Sequence, residues 1–174
     1  MFETTVSIVQ LSHGPIDNED EWLRIYEYRD TNNAKILPLK LKYQLLGGKY
    51  YIAEVEPFLA DIEKILSKRG YDFDEKFIKG MFYVGQQESH WTPWRVASIE
   101  IGGGHPTGIF QFLPGTFRSV SSEGDIFYPE DQIDAFVTMV ERDRVDEFAV
   151  MFTCNYEPCI DNEIRDYMFN FSNQ

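Results

Sequence analysis

Cysteine is scarce in this chain: Cys154 and Cys159 stand alone among 174 residues. Two thiols cannot build the multi-bridge scaffold of a small secreted domain. They read as reduced or incidental, or as a local bridge where the surroundings are oxidising. Histidine is almost as scarce. The three residues His13, His90 and His105 are scattered, so no zinc-type ligand set is visible and no metal is expected. Basic residues are outnumbered, 16 against 29 acids, for a net charge of −13. That excludes the basic footprint of a nucleic-acid binder and adhesion to anionic membranes. No run approaches the ~18 apolar residues of a membrane span, so no membrane insertion is expected. The start "MFETTVSIVQLSHG" has no basic n-region and carries Glu3 ahead of its apolar residues, which does not fit an export signal. Dinucleotide, P-loop and His-Glu-x-x-His motifs are all missing, and no cofactor is expected.

Aromatics, by contrast, are plentiful: 14 Phe, 10 Tyr and 3 Trp. Those not needed for a core would suit a sugar-binding groove, because an aromatic ring offers a broad apolar face.

The pattern along the chain predicts an α+β fold, mainly α. Residues 1–55 read as a small antiparallel β part. "KILPLKLKYQL" alternates, with Leu37, Leu39, Leu41, Tyr43 and Leu45 on one side and Lys40, Lys42 and Gln44 on the other. Gly47-Gly48 then suggests a hairpin into "KYYIAEV". "TVSIVQL" and "WLRIYEYR" are two further strand candidates. Residues 56–174 read as helical. One helix follows Pro57 and stops at Gly70. A second is capped by Asp74 and carries Phe77, Met81, Val84 and Glu88 at intervals of four, three and four. "YPEDQIDAFVTMVERD", "VDEFAVMF" and "CIDNEIRDYMFNF" complete the set.

Glu88 draws the eye because it continues an apolar stripe. A carboxylate on a buried face is desolvated, which raises its pKa and keeps it protonated near neutral pH, as a general acid requires. The plainer alternative is a helix-end glutamate turned out to solvent. After "ESHWTPWRVASIEI" comes "GGGHPTGIFQFLPGTF", where a glycine-rich loop leads into a short apolar run with one amide, Gln111. An amide with two donors and an acceptor could hold an N-acetylated sugar, or simply serve the core.

Taken together, "ES" at 88–89, "GIFQFLPGTF" at 108–117 and "DIFYPEDQIDAFVTMV" at 125–140 resemble the lytic transglycosylase and goose-type lysozyme superfamily. The resemblance covers residues 74–150 and rests on the order and spacing of the motifs. It implies a lysozyme-like helical domain and an enzyme that cuts the β-1,4 bonds of peptidoglycan glycan strands. Glu88 matches the catalytic acid and Ser89 the residue that positions it. Gly108 and Gln111 match the turn lining the sugar groove, with Ile109 and Phe110 as its apolar floor. Thr116 matches the threonine that opens the next helix. The family's Tyr-Asn-Ala-Gly signature is absent; "CNYEPC" is the nearest stretch and makes Tyr156 the candidate for the tyrosine that contacts the acid.

One glutamate suffices for lytic transglycosylation, in which it protonates the glycosidic oxygen and then takes the proton of the muramic 6-hydroxyl. Inverting hydrolysis needs a second carboxylate, and Glu100 is the acid between the two motifs. It otherwise reads as a solvated loop residue. Competing expectations are a non-catalytic module that keeps the fold for binding, and a related hydrolase of chitin or chitosan. A wall-cleaving enzyme without an export signal fits a bacteriophage protein. It would be carried in the virion, docked to other virion proteins through residues 1–55, or released from the host cytoplasm at lysis.

Overall fold

A computed structural model describes residues 33–71 and 74–173, with the side chains of 33–36 excepted. The strand candidates "TVSIVQL" and "WLRIYEYR" lie outside the described residues. Within them the chain is mostly helical: α1 (Asn33–Gly47), α2 (Leu59–Arg69), α3 (Glu75–Ser89), α4 (Pro114–Val120), α5 (Pro129–Glu141) and α6 (Asn162–Phe169).

The expected hairpin of residues 35–55 is replaced by α1 and two short 3-10 stretches, Gly48–Tyr50 and Ala53–Phe58. The physical reason lies in the residue types. "KILPLKLKYQL" is rich in Leu and Lys, which favour helix, and Ile36 is its one β-branched residue. The alternating leucines do not share a face. Tyr43 is fully buried and Leu39 and Leu46 pack against the core, while Leu37, Leu41 and Leu45 are 57%, 56% and 83% exposed. Spacings of four and three place the first set inward, and helical spacing of four places the second set outward. Lys42 and Tyr43 then fix α1 to α2, both bonding the Glu63 carboxylate at 2.7 and 2.8 Å.

α3 is the central element. From Phe77 to Gln87 nearly every residue is buried, so this helix is surrounded rather than amphipathic. Asp74 caps it, accepting the Phe77 N–H at 2.9 Å. α6 lies close against it because Gly80 has no side chain: a Cβ there would meet the Met168 sulfur at 2.6 Å. α2 ends at Gly70 with φ +83, the left-handed stop its position suggested, and packs against α5. The Arg69 guanidinium seals that contact with Asp134, Glu141 and Thr138.

"VDEFAVMF" forms two 3-10 turns, Val145–Glu147 and Ala149–Met151, instead of a helix. Phe148 between them is extended, which lets Val145, Phe148, Val150 and Met151 all reach the core.

Antiparallel pairing among the described residues is limited to isolated bridges: Val96 with Thr107, Ile101 with Gly104, and Thr107 with Phe112. They stiffen the excursion that joins α3 to α4.

An aromatic cluster holds the core. Trp91 packs against Phe58, Phe82 and Phe110, and Phe110 stacks on Phe136 at 4.4 Å. Trp91→Ala would cost ~3–5 kcal/mol, as truncation of a buried aromatic does. Tyr43, Tyr50 and Val55 belong to this same core.

Candidate functional site

The C-terminal end of α3 is where the polar residues converge. The helix stops at Ser89, and His90 and Trp91 both take left-handed φ, +53 and +57. Two successive non-glycine residues in that region are costly. The surroundings enforce the turn. His90 N–H bonds Gln86 O and Trp91 N–H bonds Gly85 O, both at 3.1 Å. The indole of Trp91 then lies against Gly85, where a Cβ would meet its ring at 2.6 Å, and donates to Phe82 O at 3.3 Å.

Glu88 sits in this last turn, half-buried. Burial pushes its carboxyl up from 4.5 to about 7, and the positive charge of Arg95 opposes the rise. The group is therefore close to half-protonated at neutral pH. Among the described residues, no hydrogen bond to this carboxylate accompanies the shift.

Ser89 joins Glu88 to the second motif. Its hydroxyl donates to Ile109 O at 2.8 Å and accepts the Thr92 N–H at 2.9 Å. The turn it meets requires glycine: Gly108 has φ +84, and a Cβ there would meet the Gln132 amide at 2.5 Å. Gln132, fully buried at the start of α5, is the hub of this region. It accepts the Ile109 N–H at 2.6 Å and donates to Ile126 O at 2.7 Å and Pro93 O at 3.1 Å. One amide thus ties the turn to the segments on both sides of it.

The other predicted residues fall as follows. Gln111 adopts φ +49 and folds its amide back onto Gly108 O at 2.9 Å and Arg95 O at 3.2 Å. Ile109 and Phe110, expected to floor a groove, are fully buried. They anchor the turn from beneath, and no sugar could touch them without opening the core. Thr116 is half-buried as the third residue of α4, which Pro114 opens. Glu100 is exposed in the excursion before the Ile101–Gly104 bridge. His105 bonds Ala97 O at 2.9 Å within the same excursion.

Tyr156 does come to the end of α3. Its ring lies 4.6 Å from that of His90 and is 46% exposed. Gln87 brings it there: the amide oxygen accepts the N–H groups of Asn155 and Tyr156 at 2.9 and 3.0 Å, and the amide nitrogen donates to Tyr156 O at 2.6 Å. Cys154 and Cys159 are joined in a disulfide that closes this loop. Glu157 is grouped with the two sulfurs within 4.8 Å, but with both sulfurs bonded to each other the group offers only one free carboxylate.

Gln87, Arg95 and Gln132 also belong to the site; Gln132 falls within the motif at 125–140, while Gln87 and Arg95 fall within none. Gln87 had a signal. It follows Val84 by three on a helix that is otherwise apolar inward, so a buried amide was implied there.

A cavity of about 510 Å³ lies elsewhere, between the start of α3 and α6, lined by Asp74, Glu75, Lys76, Lys79, Asp161 and Glu163 among others. α3 rises ~1.5 Å per residue, so the part of this helix that lines the crevice lies roughly 14–20 Å from Glu88. Its charges are paired, Lys76 with Glu163 at 2.7 Å and Lys49 with Asp161 at 2.9 Å. That is the chemistry of a surface ion-pair network rather than of a reaction centre.

No family model matches the chain, and neither does any curated protein or solved structure.

Proposed function

We propose that this protein cleaves peptidoglycan glycan strands as a lytic transglycosylase, with Glu88 as the single acid and base on a lysozyme-like helical scaffold. The observation that carries the reading is the Glu88 carboxyl, held half-buried with its pKa near 7 and joined through Ser89 to the Gly108–Gln111 turn. A pKa near the working pH lets one group give a proton and take one back with little cost in either direction.

In the first step Glu88 protonates the glycosidic oxygen as the bond to the muramic C1 breaks. In the second, Glu88, now ionised, removes the proton of the 6-hydroxyl on the same sugar. That oxygen closes on C1, forming a 1,6-anhydro ring and restoring the acid. Atoms balance without water, so no second carboxylate is required. Arg95 favours the ionised form that exists between the two steps. Tyr156, beside His90 at the end of α3, and Gln111, in the turn itself, are candidates for contact with the N-acetyl sugars.

Glu88→Gln tests the reading. The amide has the same shape and cannot exchange a proton, so cleavage of purified peptidoglycan should fall to background while the circular dichroism spectrum stays that of the parent. An active Glu88→Gln protein would sink the assignment. Inactivity of the parent protein on every glycan offered would favour the second reading, a binding module of the same fold.

A further inference from the structure

The loop 154–159 carries more structure than a surface connection requires. Its two ends are pinned by buried tyrosines: Tyr83 donates to Thr153 O at 2.9 Å, and Tyr50 donates to Cys159 O at 3.3 Å. Its middle is held separately. Gln87, almost fully buried, makes all three of its hydrogen bonds to the backbone of Asn155 and Tyr156. The disulfide closes the loop on itself, and Cys154 is exposed to solvent, within reach of a small reductant. The side chain delivered by this arrangement is Tyr156, set against His90 at 4.6 Å, two positions after Glu88.

We infer that the Cys154–Cys159 disulfide and Gln87 form a redox-sensitive latch that positions Tyr156 against the end of α3, closed in oxidising surroundings and loosened in reducing ones. Gln87 is a positioning residue here: it acts on the site through the loop. The consequence for cleavage rests on the reading of Glu88 given above; the latch itself is a statement about Tyr156 and His90.

Opening is a two-electron step. A dithiol such as dithiothreitol breaks the S–S bond and passes two electrons and its two protons to the sulfurs, so that Cys154 and Cys159 become thiols and the dithiol leaves as its cyclic disulfide. The ends of the loop stay pinned by Tyr50 and Tyr83, so reduction removes the covalent closure, leaves the middle of the loop on the Gln87 hydrogen bonds alone, and takes away no part of the core. Compartments differ in redox poise, so the same chain would carry a loosened site in a reducing cytoplasm and a closed one outside it.

The test uses two readouts on the full chain, before and after dithiothreitol. The first is the His90 ring-proton signals by NMR, which feel the ring current of Tyr156, with those of His105 as the internal control. The second is kcat/KM on purified peptidoglycan. Reduction should move the His90 signals and leave those of His105 in place. It should also lower kcat/KM about tenfold, the factor set by ~1.4 kcal/mol of lost transition-state stabilisation, and reoxidation should restore both. The Cys154→Ser/Cys159→Ser protein should start in the loosened state and ignore the reductant. Gln87→Met, which keeps the shape and removes the hydrogen bonds, should shift His90 in the same direction with the disulfide intact.

Unchanged His90 signals after verified reduction would overturn the latch; shifted signals with full retention of kcat/KM would overturn its consequence for cleavage. If the oxidised protein cleaves no glycan, the reading of Glu88 fails instead, and the latch stands or falls on the His90 signals alone.

Discussion

The Ser89 hydroxyl donates a 2.8 Å hydrogen bond to the Ile109 carbonyl, joining the last turn of α3 to the turn that opens at Gly108. Both groups are buried, and the same oxygen accepts the Thr92 N–H. One side chain therefore holds the chain just beyond the helix that carries Glu88 and ties the end of that helix to its neighbouring turn.

Ser89→Ala should accordingly cost more than an ordinary surface substitution. It leaves the buried Ile109 carbonyl and the half-buried Thr92 N–H without their partner, and an unpaired buried group costs ~1–3 kcal/mol. Urea denaturation should show a loss on the order of 2–3 kcal/mol. A loss below about 0.5 kcal/mol, the range of neutral surface changes, would mean the two motifs are not coupled through this hydroxyl.

Glu88 should make stability depend on pH, whatever the substrate. Its folded pKa of about 7 lies above the ordinary 4.5, so the folded state holds the proton more tightly than the unfolded chain does. The stabilising contribution of the protonated group is complete below pH 4.5 and is lost as pH rises through 7. Glu88→Gln carries no such loss. At pH 8 the variant should be the more stable protein, by on the order of 1–3 kcal/mol, and near pH 4 the two should converge. Equal stabilities at pH 8 would show that the carboxylate is solvated.

Arg95 offers a second handle on the same group. Its charge favours the ionised carboxylate, so Arg95→Gln should raise the Glu88 pKa further. The backbone carbonyl of Arg95, which accepts from Gly108 and Gln111, is kept in the variant. Carbon-detected NMR titration of the Glu88 carboxyl reads the shift directly. A fall in pKa would contradict the arrangement.

Much of the helical scaffold was legible in the sequence, and the site only in part. Asp74, Gly70 and Pro129 announce helix ends because capping and fixed φ are local properties, and the stripe Phe77–Met81–Val84–Glu88 is a local periodicity. Leu37 to Leu45 misled for a related reason. Alternating Leu and Lys satisfies a strand as well as a helix, and which leucines turn inward was decided by α2 and α3, elements the stretch itself does not contain. Gln87 and Gln132 illustrate the limit. Gln87 bonds residues 68 and 69 positions away, and Gln132 reaches 39 positions back to Pro93. No window of sequence shows such pairs, although a polar amide at an inward helical position hints that a partner exists.

The packing of α1 leads to an expectation about shortened proteins. Tyr43, Tyr50 and Val55 are fully or almost fully buried in the core shared with α3. A protein beginning at residue 56 loses all three, with two aromatic truncations worth ~3–5 kcal/mol each. It should unfold or form a species without near-ultraviolet circular dichroism. A cooperative thermal transition at the parent temperature would show that α1 is an accessory layer.

The mass of the products released from purified peptidoglycan tests the central claim most directly. If Glu88 alone serves as acid and base, mass spectrometry of the digest will show muropeptides ending in 1,6-anhydromuramic acid, each lighter by one water than the reducing-end product. Reducing-end products would contradict that account, since they require an activated water and hence a second group such as Glu100.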